Sequence, residues 1–133
     1  MLIPTFIDKI DLFYFIVDNG NNRVLFSRIL TPNIADWHLM DNNLERPHSI
    51  ASDGVVYVVD DTDRNAVRVY TYDNEGFKLI QIVECLGLRV HRTLYDSKSK
   101  AFYVMSSNSQ SITKLIRDGD RLTISYHKTL PFL

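Results

Sequence analysis

The sequence predicts an all-β fold of three β-propeller blades, each a sheet of four antiparallel strands, and three observations predict it. The first is repetition: residues 46–60 read as strand, Asp53-Gly54 turn and second strand, a copy follows at 89–106, and a fainter one stands at 3–18. The second is period, with 42 residues from Val17 to Val59, 46 from Val59 to Met105 and 43 from His48 to His91. A four-stranded blade takes roughly 40 to 50 residues. The third is that residues 13–17 and 55–59 are apolar at both alternating sets of positions. Such strands must be covered on both faces, as blades cover one another around a ring.

The blades are expected at about 1–44, 45–88 and 89–133. In the first, strands are predicted at 3–7, 12–17, 23–30 and 35–40, where β-branched and aromatic residues gather between polar turns. In the second they fall at 48–52, 55–60, 66–72 and 77–83, divided by Asp53-Gly54, the polar run 61–65 and Asp73-Asn74-Glu75-Gly76, all turn-forming residues. The third places them at 91–95, 101–105, 112–117 and 121–126, with Asp118-Gly119-Asp120 as its last turn. Third strands alternate Val67, Val69 and Thr71 with Arg68 and Tyr70, which predicts a half-wet position nearer the rim. No stretch holds an apolar helical period for three turns, so helix is expected only as single turns, at 39–44 or 86–90. Tyr57, Val59, Val67, Val69, Phe15, Val17, Tyr103 and Met105 are the expected core.

Composition bounds the function. Fifteen basic against sixteen acidic residues give a formal net charge of -1, so there is no bulk basic field to hold nucleic acid, and no nucleic-acid partner is expected. The apolar run at 12–17 falls far short of the roughly 20 residues of a membrane-spanning helix, so no membrane partner is expected either. Asp8, Lys9 and Asp11 break any apolar leader core, and no Asn-x-Ser/Thr acceptor occurs; a cytoplasmic setting is the expectation. The single cysteine, Cys85, lies in the apolar run 79–86, where a buried inert thiol is expected.

Candidate chemistry gathers where first strands begin. His48 and His91 hold one repeat position, and first strands line the axial channel, so two imidazoles from adjacent blades can converge there on a divalent metal or an anion. Zinc or calcium are the metals in question, although zinc wants three or four ligands and two are visible. The plainer reading has each histidine bonding a loop backbone or packing beside a blade. Arg46 and Arg89 stand two residues before the histidines and share their side of the strand. With Arg92 they would make one end of the channel cationic, against the plainer reading of solvated loop arginines. The acidic runs 60–63 and 18–22 lack the spaced carboxylates of a calcium loop and read as hairpin turns. No Gly-x-Ser-x-Gly elbow frames Ser49 or Ser52, and no catalytic residue is assigned. Tyr70, Tyr72, Phe77, Tyr126, His127 and Phe132 offer aromatic surface near rims and chain end, read as core or partner contact.

Pro47-His48-Ser49-Ile50-Ala51, the second strand closing on Asp60, and Asn65-Ala66-Val67-Arg68-Val69 together resemble an NHL-type propeller repeat; Asp18 through Val24 show the same ending. The third copy departs from it, with Val90 for the proline and Ser106 for the aspartate. The resemblance implies a six-bladed ring and a binding or scaffold module for a protein, peptide or carbohydrate partner. Its alternative is a metal-assisted propeller enzyme of lyase or lactonase type, because the similar amidating lyase sets zinc histidines on Pro-His-led first strands. Three blades are about half such a ring, so the partners expected are a second copy closing the ring or the remaining blades of a longer chain, with a protein or small-molecule ligand in the channel.

Overall fold

The computed structural model describes residues 2–131. It contains three four-stranded antiparallel sheets, ordered β1-β2-β3-β4, β5-β6-β7-β8 and β12-β11-β10-β9. Blade 1 is β1 (Pro4–Ile10), β2 (Phe13–Asp18), β3 (Arg23–Ser27) and β4 (His38–Asp41). Blade 2 is β5 (Ile50–Ser52), β6 (Tyr57–Asp61), β7 (Ala66–Asp73) and β8 (Gly76–Val83); blade 3 is β9 (Val90–Asp96), β10 (Ala101–Ser106), β11 (Ser111–Asp118) and β12 (Arg121–Thr129). Among the described residues the only helical pieces are single 3-10 turns at Asn19–Asn21, Ile34–Asp36 and Thr62–Arg64. They stand elsewhere than the turns expected at 39–44 and 86–90. No helix there is long and apolar enough to cross a membrane.

The middle sheet buries both faces of its second strand, Tyr57–Asp61, because a neighbour lies on each side. Between blades 1 and 2 pack Phe13, Phe15, Val17 and Val24 against Ile50, Tyr57, Val59 and Tyr70, with Tyr72 and Phe77 at the margin. Phe77 meets Phe15, Phe26 and Tyr57 edge-on at centroid distances of 5.8, 4.9 and 5.1 Å, the geometry in which a positive ring edge faces a negative ring face. Between blades 2 and 3, Val56, Val58, Val67 and Val69 meet Phe102, Val104, Leu115 and Leu122.

The turns repeat as closely as the strands. Asn22 and Asn65 end their 3-10 turns in left-handed backbone, at φ 55° and 57°. Each side-chain carbonyl then accepts the backbone N–H of the arginine that opens the next blade, Arg46 at 3.0 Å and Arg89 at 2.7 Å. Those two arginines are themselves left-handed, at φ 56° and 57°. Glycine is scarce because Asn, Arg, Lys and Gln take the left-handed positions, each at a strain that hydrogen bonds must offset.

Turn equivalence moves the repeat register. Asp18 and Asp61 each precede a 3-10 turn, and their carboxylates accept backbone N–H from Ile3 and Glu45 at 2.8 and 2.6 Å. Asp61 is thus the counterpart of Asp18, and Asp60 stands where Val17 stands, one residue from the alignment that the strand ends give. Apolar letters alone could not set that register, since both faces of the strand are apolar.

Other expectations are corrected. Cys85 is exposed, left-handed at φ 64° and beyond the end of β8, because the apolar run stops pairing at Val83. Met105 is 43 % exposed and Tyr103 half-buried, since both face away from blade 2 with no fourth sheet beyond. β7 is buried at every position from Ala66 to Tyr70: Arg68 and Tyr70, expected half-wet, are covered by blade 1. The strand expected at 35–40 begins with the 3-10 turn Ile34–Asp36, which carries Trp37 over Ile16 and Leu25 on the free face of blade 1. Phe132 lies outside the described residues.

Candidate functional site

The first strands of blades 2 and 3 lie beside one another, and β9 meets the 3-10 turn Thr62–Arg64. There the His48 and His91 rings are 4.1 Å apart between centroids and inclined by 32°, a tilted stack. His48 sits just before β5 and not in it, so its position is set by hydrogen bonds other than a ladder. Its backbone N–H donates to Asp60 Oδ1 at 2.6 Å, and its Nδ1 lies 2.8 Å from the Thr62 hydroxyl. Asp63 on the same turn joins the two arginines, with Arg46 Nε at 3.3 Å and Arg89 Nη1 at 3.7 Å. One carboxylate therefore bridges guanidiniums from two blades, beside the stacked imidazoles.

Burial pushes the His48 imidazole below its ordinary value, and the charges of His91 and Arg89 push it the same way, against the Arg46 backbone and Asp63. Burial alone disfavours the charged ring, and the two cationic neighbours add to it.

Beneath His48, Asp60 has no exposed surface. Its Oδ1 accepts the Ser49 N–H at 2.7 Å as well as that of His48, and its Oδ2 accepts the Ser49 hydroxyl at 3.1 Å. Ser49 Oγ in turn accepts the Thr93 N–H of blade 3 at 3.0 Å. Burial raises the Asp60 carboxyl to about 7, beyond what these bonds pull down. Asp60 thus couples the His48 segment to the neighbouring blade. The sequence reading ended the second strand on Asp60, one residue short of its end in the structure, but took the acidic run 60–63 for turn chemistry; its one sequence signal is that an acid fills the place held by Val17 in blade 1.

Arg92 is not part of this group. Its guanidinium lies 5.3 Å over the Phe6 ring of blade 1, at the wall of a groove of about 250 Å³ lined by first-strand residues of all three blades, among them Phe6, Asp8, Ser52 and Tyr95. Successive strand residues point to opposite sides, which is why His91 and Arg92 part. The structure brings together His48, His91, Arg46 and Arg89 and sends Arg92 to the groove between the first strands. Among the described residues no three His, Cys, Asp or Glu side chains stand close enough to hold a metal ion, so the two imidazoles find no third protein ligand among them.

No protein-family profile and no curated protein matches the chain. Among solved structures, it is similar to a protein from Lactobacillus plantarum whose crystal structure came from the Northeast Structural Genomics Consortium, with a TM-score of 0.66 and 16 % identity. The likeness covers 87 % of this chain and 38 % of that one, so this chain spans less than half the length of the protein it matches. Together with the three four-stranded sheets, that likeness shows the fold: an all-β structure of propeller-like blades.

Proposed function

We propose that this chain is a propeller binding module that takes an acidic segment of a protein or peptide partner at the channel mouth formed by Arg46, Arg89, His48 and His91. One observation carries the reading: Arg46 and Arg89, from two adjacent blades, share the Asp63 carboxylate beside the stacked His48 and His91 rings. Guanidinium forks match carboxylates in geometry as well as charge, and a mouth built from repeat positions presents them together. Arg92, farther along the first strands, provides a further contact for a ligand that reaches into the groove.

The module is completed by another blade on each free face, from a second copy or from further blades of a longer chain. Tyr103 and Met105 of blade 3 stand at positions whose counterparts in blade 1, Phe15 and Val17, are fully covered by the next sheet. The resemblance to NHL repeats supports a six-bladed ring. Zinc or calcium at the histidines, and with them a metal-assisted lyase or lactonase activity, would need further ligands from such added blades.

Binding of a fluorescent hexaglutamate peptide, followed by anisotropy at low salt, tests the site. The wild-type chain is expected to bind it and a hexalysine peptide not; replacing both Arg46 and Arg89 by Gln is expected to weaken binding at least about tenfold, the equivalent of roughly 1.4 kcal/mol. Equal binding of the two peptides would overturn the reading.

A further inference from the structure

The mouth holds two histidines where arginines alone would suffice for charge. An imidazole is the side chain whose charge changes between about pH 5 and 8, and here two of them stack at 4.1 Å. A proton on His48 meets the charges of His91 and Arg89, and the Asp63 carboxylate is shared between Arg89 and Arg46. An anion seated against both arginines reverses that balance, because opposite charge within about 4–6 Å favours the protonated ring.

We propose that the mouth binds a single oxyanion group together with one proton from solvent, the anion held by Arg46 and Arg89 and the proton by the His48–His91 pair. This rests on the channel-mouth reading above and adds its recognised chemical group and its proton linkage. No covalent bond forms or breaks: one proton leaves the buffer and one imidazole becomes imidazolium.

The other charged groups around the pair are accounted for. Asp63 faces it from the Thr62–Arg64 turn, Asp61 and Glu45 are engaged by Arg64, and Asp60 holds the His48 N–H from β6. Asp60 is the competing acceptor for the proton, since its buried carboxyl titrates at about 7. It is walled off, however, from any ligand at the mouth: its two oxygens are occupied by the His48 and Ser49 donors.

Calorimetry with the hexaglutamate peptide at pH 6 and pH 8, in two buffers of different ionisation enthalpy, counts the protons. With its amino terminus acetylated, the peptide has only carboxylates, which stay ionised throughout that range, so uptake is the protein's. Affinity is expected to fall about tenfold from pH 6 to pH 8 for each unit by which the ligand raises the imidazole. Uptake is expected to persist in Asp60→Asn and to vanish when His48 and His91 both become Gln, with His91→Gln alone serving if the double variant does not fold. Displacement of the peptide by sulfate marks a phosphate-type group and displacement by acetate alone a carboxylate, either being consistent with a single oxyanion; displacement by neither overturns the proposal. Binding without proton uptake, or uptake that disappears in Asp60→Asn, overturns it while leaving the module reading intact. No binding at pH 6 by folded protein sinks both.

Discussion

Asp60 and Phe15 are both wholly covered, yet their burial has opposite consequences. Phe15 touches Phe13, Tyr57 and Phe77, and Phe15→Ala leaves a cavity in a packed interface that should cost about 3–5 kcal/mol in chemical denaturation. Met105→Ala, on the uncovered face, should cost only about 0.5 kcal/mol in the monomer. The Asp60 carboxyl is raised from 3.8 to about 7, so between those values the folded chain binds a proton that the unfolded chain has released. Its stabilising contribution is full below the lower value and is lost as pH rises through about 7. His48, depressed by burial and by its cationic neighbours, works the other way: the unfolded chain takes up the proton first, so stability falls as pH drops below the ordinary histidine value. Melting temperatures measured from pH 5 to pH 8 should therefore decline toward pH 8 in the wild type and decline less in Asp60→Asn.

At the scale of elements, polar contacts fix how one sheet sits on the next. Arg68 of β7 lies at 3.1 Å from Asp61 of its own blade and 3.2 Å from Asp41 at the end of β4, and Tyr70 donates to the same Asp41 carboxylate. The side chains of Arg68 and Asp61 are 9 % and 1 % exposed, so removing the cation leaves Asp61 to Arg64 and Asp41 to the Tyr70 hydroxyl, with one charge fewer in a nearly dry interface. Arg68→Ala should cost about 3–5 kcal/mol, the usual loss when one partner of a buried ion pair is deleted. A measured change under about 1 kcal/mol would show that water reaches the cluster. Between blades 2 and 3 the same task falls to Gln81, whose amide both donates to and accepts from the Leu122 backbone at 2.8 Å.

For the whole molecule the free faces decide behaviour in solution. Leu94, Met105 and Ile116 are 60 %, 43 % and 41 % exposed on blade 3, while Ile7 and Leu39 are 60 % and 50 % exposed on blade 1. Trp37 covers the centre of the blade 1 face, which makes blade 3 the more open end. Contiguous apolar surface of this kind is covered in stable soluble proteins. Sedimentation of this chain at micromolar concentration should show a dimer joined first blade to third blade by a two-fold axis. Met105→Glu should shift it to monomer without altering the fold. A stable wild-type monomer would show that these faces do not pair with each other.

By itself the sequence determined the class of fold, the number of blades and most strand centres, because alternation, turn residues and period are local properties written in the order of the chain. It also marked His48, His91, Arg46 and Arg89 as equivalents, since equal repeat positions must lie at equal heights in adjacent blades. Only the tertiary structure decided that Asp60 and not Asp61 replaces an interface valine, for a strand apolar on both faces carries no sign of its register. Only packing placed Arg68 in a buried cluster, because its partner Asp41 lies in another sheet, 27 residues away along the chain. The parting of Arg92 from the other arginines, the exposure of Cys85 and the half-open face of Met105 belong to the same class: each depends on which surface a neighbouring sheet covers, a fact that exists only once the blades stand side by side.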